Sequence, residues 1–171
     1  VDNALSDIDS QHIVKRIWAH DHTVWKPEPT EIANRLGWLH IADAMMDDLH
    51  RLESLTKALH SDDYTRALLL GMGGSSLAPA VFRKTFGVAD GYLDLAILDS
   101  TDPGFVLAHA DELDVSRTLF MVATKSGTTV ETLSLFKFFY NRASEELGTG
   151  QAGEHFVAIS DPGSPLADVA N

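Results

Sequence analysis

Two rhythms of apolar spacing divide this chain. Ile32, Leu36, Leu39, Met46, Leu49, Leu52, Leu55 and Leu59 recur mostly at steps of three and four. That spacing lines side chains along one stripe of an α-helix. Pro27 and Pro29 mark its start, with Thr30 as the expected N-cap before Glu31. Asp43, Asp47 and Arg51 occupy another face; Asp47 and Arg51 are spaced for an i,i+4 ion pair worth about 0.3 kcal/mol. Residues 11–17 read as a shorter helix, so the first sixty residues are expected to be largely helical.

After Thr65 the rhythm changes. Residues 67–70, 93–98, 119–123 and 156–159 are short apolar runs without clean alternation. Continuous runs are what a strand buried on both faces shows. The segments between them are long enough for crossover helices. The clearest carries Leu133, Phe136, Tyr140, Ala143 and Leu147, with Gly148 as a stop signal. Ser164 reads as an N-cap, with Pro165 at the first position of a last helix. Strand–helix alternation implies an α/β fold: a parallel, doubly wound, three-layer sandwich. The expected organisation is an N-terminal helical extension over residues 1–62 and a sheet domain over residues 63–171, with the last part of that domain missing.

Composition narrows the function classes. The 171 residues suit one ordinary domain with an extension, and 44% apolar content supports a core. No apolar run approaches the roughly 20 residues of a membrane span, and no signal segment opens the chain. No membrane partner is expected. Cysteine is absent, which removes disulfide and thiol chemistry and agrees with a cytoplasmic location. The chain opens on Val1, as a processed or excised piece would. The net charge of −12 argues against nucleic acid, whose affinity needs clustered Lys and Arg. Any phosphate must therefore be attracted by local donors rather than by the overall field.

Such donors stand in two loops, each between an apolar run and a helical pattern. The first is Gly71-Met72-Gly73-Gly74-Ser75-Ser76; the second is Thr124-Lys125-Ser126-Gly127-Thr128-Thr129. Both fall at carboxyl ends of expected strands, where open α/β sheets bind ligands. Both offer N–H groups and hydroxyls at a helix start, where anions are received. A capped tight turn would explain part of the first loop, but three glycines in four positions exceed what capping requires. A dinucleotide fingerprint fits poorly, because Ser76 stands where the third glycine belongs. The second loop contains a capping box, Thr128-x-x-Glu131, which leaves Lys125, Ser126 and Gly127 unexplained. A lysine at the buried end of a strand needs an anionic partner, either Glu131 or a ligand phosphate.

The eight histidines do not form a recognisable ligand spacing. His20 and His22 lie on different helix faces, and His40, His50 and His60 drift around a helix. No metal and no cofactor are expected. A Gly-x-Ser-x-Gly elbow is absent. Trp18, Trp25 and Trp38 read as core or interface residues.

Residues 70–79, Leu-Gly-Met-Gly-Gly-Ser-Ser-Leu-Ala-Pro, resemble the first signature of the glucose-6-phosphate isomerases. Residues 124–132, Thr-Lys-Ser-Gly-Thr-Thr-Val-Glu-Thr, resemble their phosphate-binding signature, and residues 156–166 are similar to the stretch that follows in bacterial members. The resemblance implies a sugar isomerase (SIS) domain, a five-stranded parallel sandwich that binds phosphosugars. Carried over by position, Ser75, Thr124, Lys125, Ser126, Thr128 and Thr129 would bind substrate phosphate. Gly74 and Ser76 would contact the sugar, and Glu131 would be an auxiliary acid beside it. Ser76 replaces an acid or amide common in the family, and Thr124 replaces a serine. Residues 16–25 look like the junction in bacterial transaldolase–isomerase fusions.

The family's general base glutamate, its ring-opening histidine and lysine, and its Gly-Gly-Arg arginine lie further along than Ser164. The resemblance therefore implies a parent that interconverts glucose 6-phosphate and fructose 6-phosphate, and a piece that is silent alone. It also allows a homodimer in the full-length protein. Three rivals compete: a non-catalytic phosphosugar-binding regulatory module, another phosphosugar isomerase or aminosugar enzyme of the superfamily, and a dinucleotide oxidoreductase.

Overall fold

The structure, a computed structural model, describes residues 2–170. The chain divides into two compact units between Leu55 and Thr56. The first opens with helices α1 (Asp2–Ser10) and α2 (Ile13–Trp18). A polar knot follows α2: Arg16 Nε donates to Asp21 at 2.7 Å, and Asp21 accepts the Thr23 N–H at 2.9 Å. The Thr23 hydroxyl, the Arg16 guanidinium and the Thr23 amide hold the Asp21 carboxyl down at a pKa of about 2. His20, at φ 57°, is not helical; its ring lies 5.1 Å from that of His40. His40 Nε2 in turn bonds the Trp18 carbonyl at 3.2 Å.

The long helix starts later than its apolar period suggests. Residues 33–40 form two short 3-10 segments, and α3 runs only over Ile41–Ser61. Glu31 sits at φ 60°, a left-handed conformation that cannot continue from a Thr30 N-cap into an α-helix. Leu36 and Leu39 of the expected stripe are buried, whereas Met46, Leu49, Leu52 and Leu55 are exposed. Arg51 pairs with Asp48 at 3.2 Å rather than with Asp47. Trp18, Trp25 and Trp38 are also exposed, about half or more, so none is a core residue of the described chain.

The second unit is built on four strands: β1 (Arg66–Gly71), β2 (Asp94–Leu98), β3 (Thr118–Ala123) and β4 (Phe156–Ile159). They match the four apolar runs to within a residue. All pair in parallel, in the order β2-β1-β3-β4. The family resemblance implied five strands; the described residues form four. Helices α4 (Gly74–Phe86), α5 (Pro103–Glu112) and α6 (Val130–Leu147) make the crossovers. A single turn, α7 (Thr149–Ala152), precedes β4, and α8 (Pro165–Ala170) follows it. Gly148 ends α6 at φ 88°, and the Ser164 hydroxyl accepts the Ala167 N–H at 3.2 Å.

The two faces of the sheet differ. Leu68, Leu70, Leu98, Phe120 and Val122 pack with Val106 and Ala110 of α5 and Leu135, Phe139 and Ala143 of α6. Fully burying one such large side chain is worth about 1.5–3 kcal/mol. Phe120 stacks on Phe156 at 4.8 Å and lies 5.3 Å from Phe139. The alternate residues Leu69, Leu95, Met121 and Ile159 line an open apolar cavity of about 750 Å³ with Pro79, Phe82 and Phe86 of α4. Among the described residues no helix is long and apolar enough to cross a membrane.

Candidate functional site

Strand order fixes where a site can form. The chain leaves β1 for β2 on one side and later crosses to β3 on the other. The carboxyl ends of β1 and β3 are thus the switch point of the sheet, where the diverging connections open a crevice. Gly71 and Ala123 are paired there. A Cβ on Gly71 would lie 3.2 Å from the Ala123 carbonyl oxygen and from the Ser75 Cβ, so the strand ends sit too close for a larger residue without adjustment. The two loops singled out in the sequence leave from this point.

In the first loop Gly73, at φ 55° and ψ −118°, turns the chain and α4 begins at Gly74. The N–H groups of Ser75 and Ser76 fold back onto the Met72 and Gly73 carbonyls. Gly74 is exposed, and Ser75 is half-buried on the wall of the 750 Å³ cavity. Ser76 departs from its expected role. It is fully buried, and its Oγ donates to the Gly73 carbonyl at 3.0 Å, so its hydroxyl is spent within the turn.

In the second loop Thr124 is buried and its hydroxyl meets that of Thr129 at 2.9 Å. Ser126 and Thr128 form a second hydroxyl pair at 2.8 Å. The expected capping box is not made. Thr129, not Thr128, is the N-cap of α6, and its side chain caps nothing, because both threonine hydroxyls are turned toward loop partners. Glu131 stands exposed in the first turn of α6.

Lys125 is exposed rather than buried, and it lines the same cavity as Ser75. It forms no ion pair with any described residue, Glu131 included. The cavity thus joins the two loops through Ser75 and Lys125. The other hydroxyls stay paired along the second loop.

The loop after β4, a polar strand end to which the sequence assigns no role in the site, contributes as well. Ser160 and Asp161 also line the cavity. Ser160 Oγ donates to the Thr124 carbonyl at 2.8 Å, and the Asp161 N–H donates to the Lys125 carbonyl at 3.1 Å. Gly127, at φ 68°, lies against residues 164–166; a Cβ there would come within 2.8 Å of the Leu166 nitrogen. A polar serine at a strand exit was the visible signal. Among the described residues no three His, Asp or Glu side chains converge as metal ligands.

The model of one protein family, "Phosphoglucose isomerase", matches residues 41–166. A glucose-6-phosphate isomerase of Chlamydia muridarum is 31% identical over 158 residues, which is 92% of this chain and 28% of that protein. A second, from Mycolicibacterium smegmatis, is 32% identical over 123 residues, 67% of this chain and 22% of its own length. Among solved structures, a hypothetical protein from Thermus thermophilus superposes with a TM-score of 0.76 at 26% identity, covering 99% of this chain and 38% of that one. A glucose-6-phosphate isomerase from Chlamydia trachomatis gives 0.66 at 25% identity, covering 90% of this chain and 28% of its own. The chain therefore spans less than a third of the length of these curated relatives.

Proposed function

Because this chain belongs to the phosphoglucose isomerase family, we propose that it carries the phosphate-holding part of an enzyme that interconverts glucose 6-phosphate and fructose 6-phosphate. The observation that carries the reading is that Ser75 and Lys125, from two different loops at the switch point of the sheet, both line one cavity. Lys125 supplies the positive charge. Ser75 and the hydroxyls of Thr124, Ser126, Thr128 and Thr129 supply donors around it, and Gly74 offers backbone. Charge-assisted contacts of this kind are the strong ones in phosphate recognition.

Aldose–ketose isomerisation also requires a base that moves a proton between C2 and C1 through an enediol. Glu131 suits an auxiliary role better than that one, since it stands exposed and does not line the cavity. The base is expected outside this chain, and the 171 residues alone are expected to be silent. We further read residues 1–62 as a helical extension of the phosphosugar domain at 63–171, and the segment around Arg16 and Trp25 as a junction to a preceding transaldolase. The complete protein is read as a cytoplasmic enzyme, with a homodimer as its expected assembly.

The test is a titration of the chain with 6-phosphogluconate, followed by backbone amide shifts. Lys125→Ala should weaken binding about 10- to 100-fold, the worth of one charge-assisted contact. An unchanged titration would put the phosphate elsewhere. Turnover of fructose 6-phosphate by the isolated chain at enzyme-like rates would overturn the assignment of the base to residues outside it.

A further inference from the structure

We infer that Ser160 is a positioning residue for the phosphate loop: it fixes the direction in which Lys125 enters the cavity. The inference rests on the phosphate-loop reading above and adds to it a residue from a different strand exit.

The geometry is a short relay of hydroxyls. Ser164 Oγ accepts the Ala167 N–H at 3.2 Å as the N-cap of α8, which leaves its own proton to give. Ser160 and Ser164 oxygens are 2.6 Å apart. Ser160 Oγ has the Thr124 carbonyl at 2.8 Å and the Lys125 carbonyl at 3.3 Å. A serine has one proton. The order that satisfies every group is Ser164 donating to Ser160, and Ser160 donating to Thr124, with Lys125 as the longer second acceptor.

Two main-chain bonds flank this relay. The Thr124 N–H donates to the Ile159 carbonyl at 3.0 Å, and the Asp161 N–H donates to the Lys125 carbonyl at 3.1 Å. They extend the β3–β4 ladder past the ends of both strands. The peptide before Lys125 is therefore held by Ser160 through the Thr124 carbonyl, and the peptide after it by Asp161 through the Lys125 carbonyl. Beyond it the tip is hydrogen-bonded within itself, by Ser126 with Thr128 and by Gly127 N–H to the Thr124 carbonyl, while Gly127 packs against residues 164–166. Lys125 is thus the residue whose two flanking peptides are hydrogen-bonded to the exit of β4. The pitch of its peptide sets where an exposed four-carbon side chain can reach. A long cation on an unheld peptide would lose more freedom on binding and so bind more weakly.

The experiment uses the 171-residue chain, 6-phosphogluconate as probe, and amide shifts of residues 124–128 as readout. Ser160→Ala removes the relay. Ser160→Cys keeps the volume while removing the strong donor, and serves if the alanine variant folds poorly. Ser160→Thr restores a hydroxyl. The expected result is an affinity loss of about five- to tenfold for Ala and Cys, the worth of one neutral hydrogen bond. Thr should recover most of it, and urea unfolding should show each variant folded at the titration temperature. A purely structural serine would change the unfolding midpoint without this hydroxyl-dependent recovery of binding. Full affinity in Ser160→Ala or Ser160→Cys, with Lys125→Ala weakened, would overturn the positioning role alone. Full affinity in Lys125→Ala would instead overturn the phosphate-loop reading on which it rests.

Discussion

Gly127→Ala is expected to be the most damaging single-methyl change in the loop after β3. Gly127 has φ 68°, and a residue with a Cβ pays about 1–2 kcal/mol to sit in that left-handed region. The new methyl would also lie 2.8 Å from the Leu166 nitrogen, 2.9 Å from Ser164 Cβ and 3.1 Å from Ser164 Oγ. The closest of these is backbone, which cannot rotate away, and overpacking of this kind costs about 1–3 kcal/mol. The sum is about 2–5 kcal/mol, a large share of the roughly 5–15 kcal/mol that holds a domain folded. Urea unfolding followed by circular dichroism should show the midpoint falling by about 1–2.5 M at a slope of about 2 kcal/mol per molar. Gly163→Ala is the control. Its φ is 74°, yet a Cβ there meets nothing within 4 Å among the described residues, so only the backbone cost of about 1–2 kcal/mol applies. Equal losses in the two variants would refute the close apposition of Gly127 and residues 164–166.

Phe120→Ala should cost about 3–5 kcal/mol in the same unfolding assay, because the ring is fully buried between Phe139 and Phe156. Asp21 has its carboxyl held near a pKa of about 2 against an ordinary 3.8. The pKa is depressed in the fold, so the stability it lends is present above pH 3.8 and is lost as pH falls through about 2. An NMR titration should place the Asp21 midpoint near 2, with the Thr23 amide shifting alongside it; a midpoint near 3.8 would remove the Thr23 and Arg16 contacts from the account.

The strands are legible because each is an unbroken apolar run, and burial on both faces leaves no other pattern open to them. The period of α6 is legible too, but apart from Ala143, which the two share, its buried stripe lies one step away from the expected one. Thr132, Leu135, Phe139 and Ala143 form the buried line, while Leu133, Phe136 and Tyr140 sit at its flank. Phe136 and Tyr140 are drawn there by Phe156, a contact from a later strand that no local period encodes. The start of α3 is hidden for a similar reason, since a positive φ at Glu31 leaves no mark in the hydrophobic spacing. In the site, Lys125 stands out because capping has no use for it. Ser160 reads only as a polar strand end, because its partner Thr124 is 36 residues away in sequence. The capping box fails because the Thr128 and Thr129 hydroxyls have other oxygens within reach.

In the pairs Thr124–Thr129 and Ser126–Thr128 either oxygen can be the donor. A hydroxyl reverses its role by turning one proton about the C–O bond, with no heavy atom displaced. The frame of the loop is therefore stiff, while its polarity is written in light rotors. Facing an anion, the rotors can present protons; facing a donor, they can present lone pairs. Such paired hydroxyls can meet a donor or an acceptor and make no choice by the sign of charge. That choice falls to Lys125, whose charge no rotation can reverse.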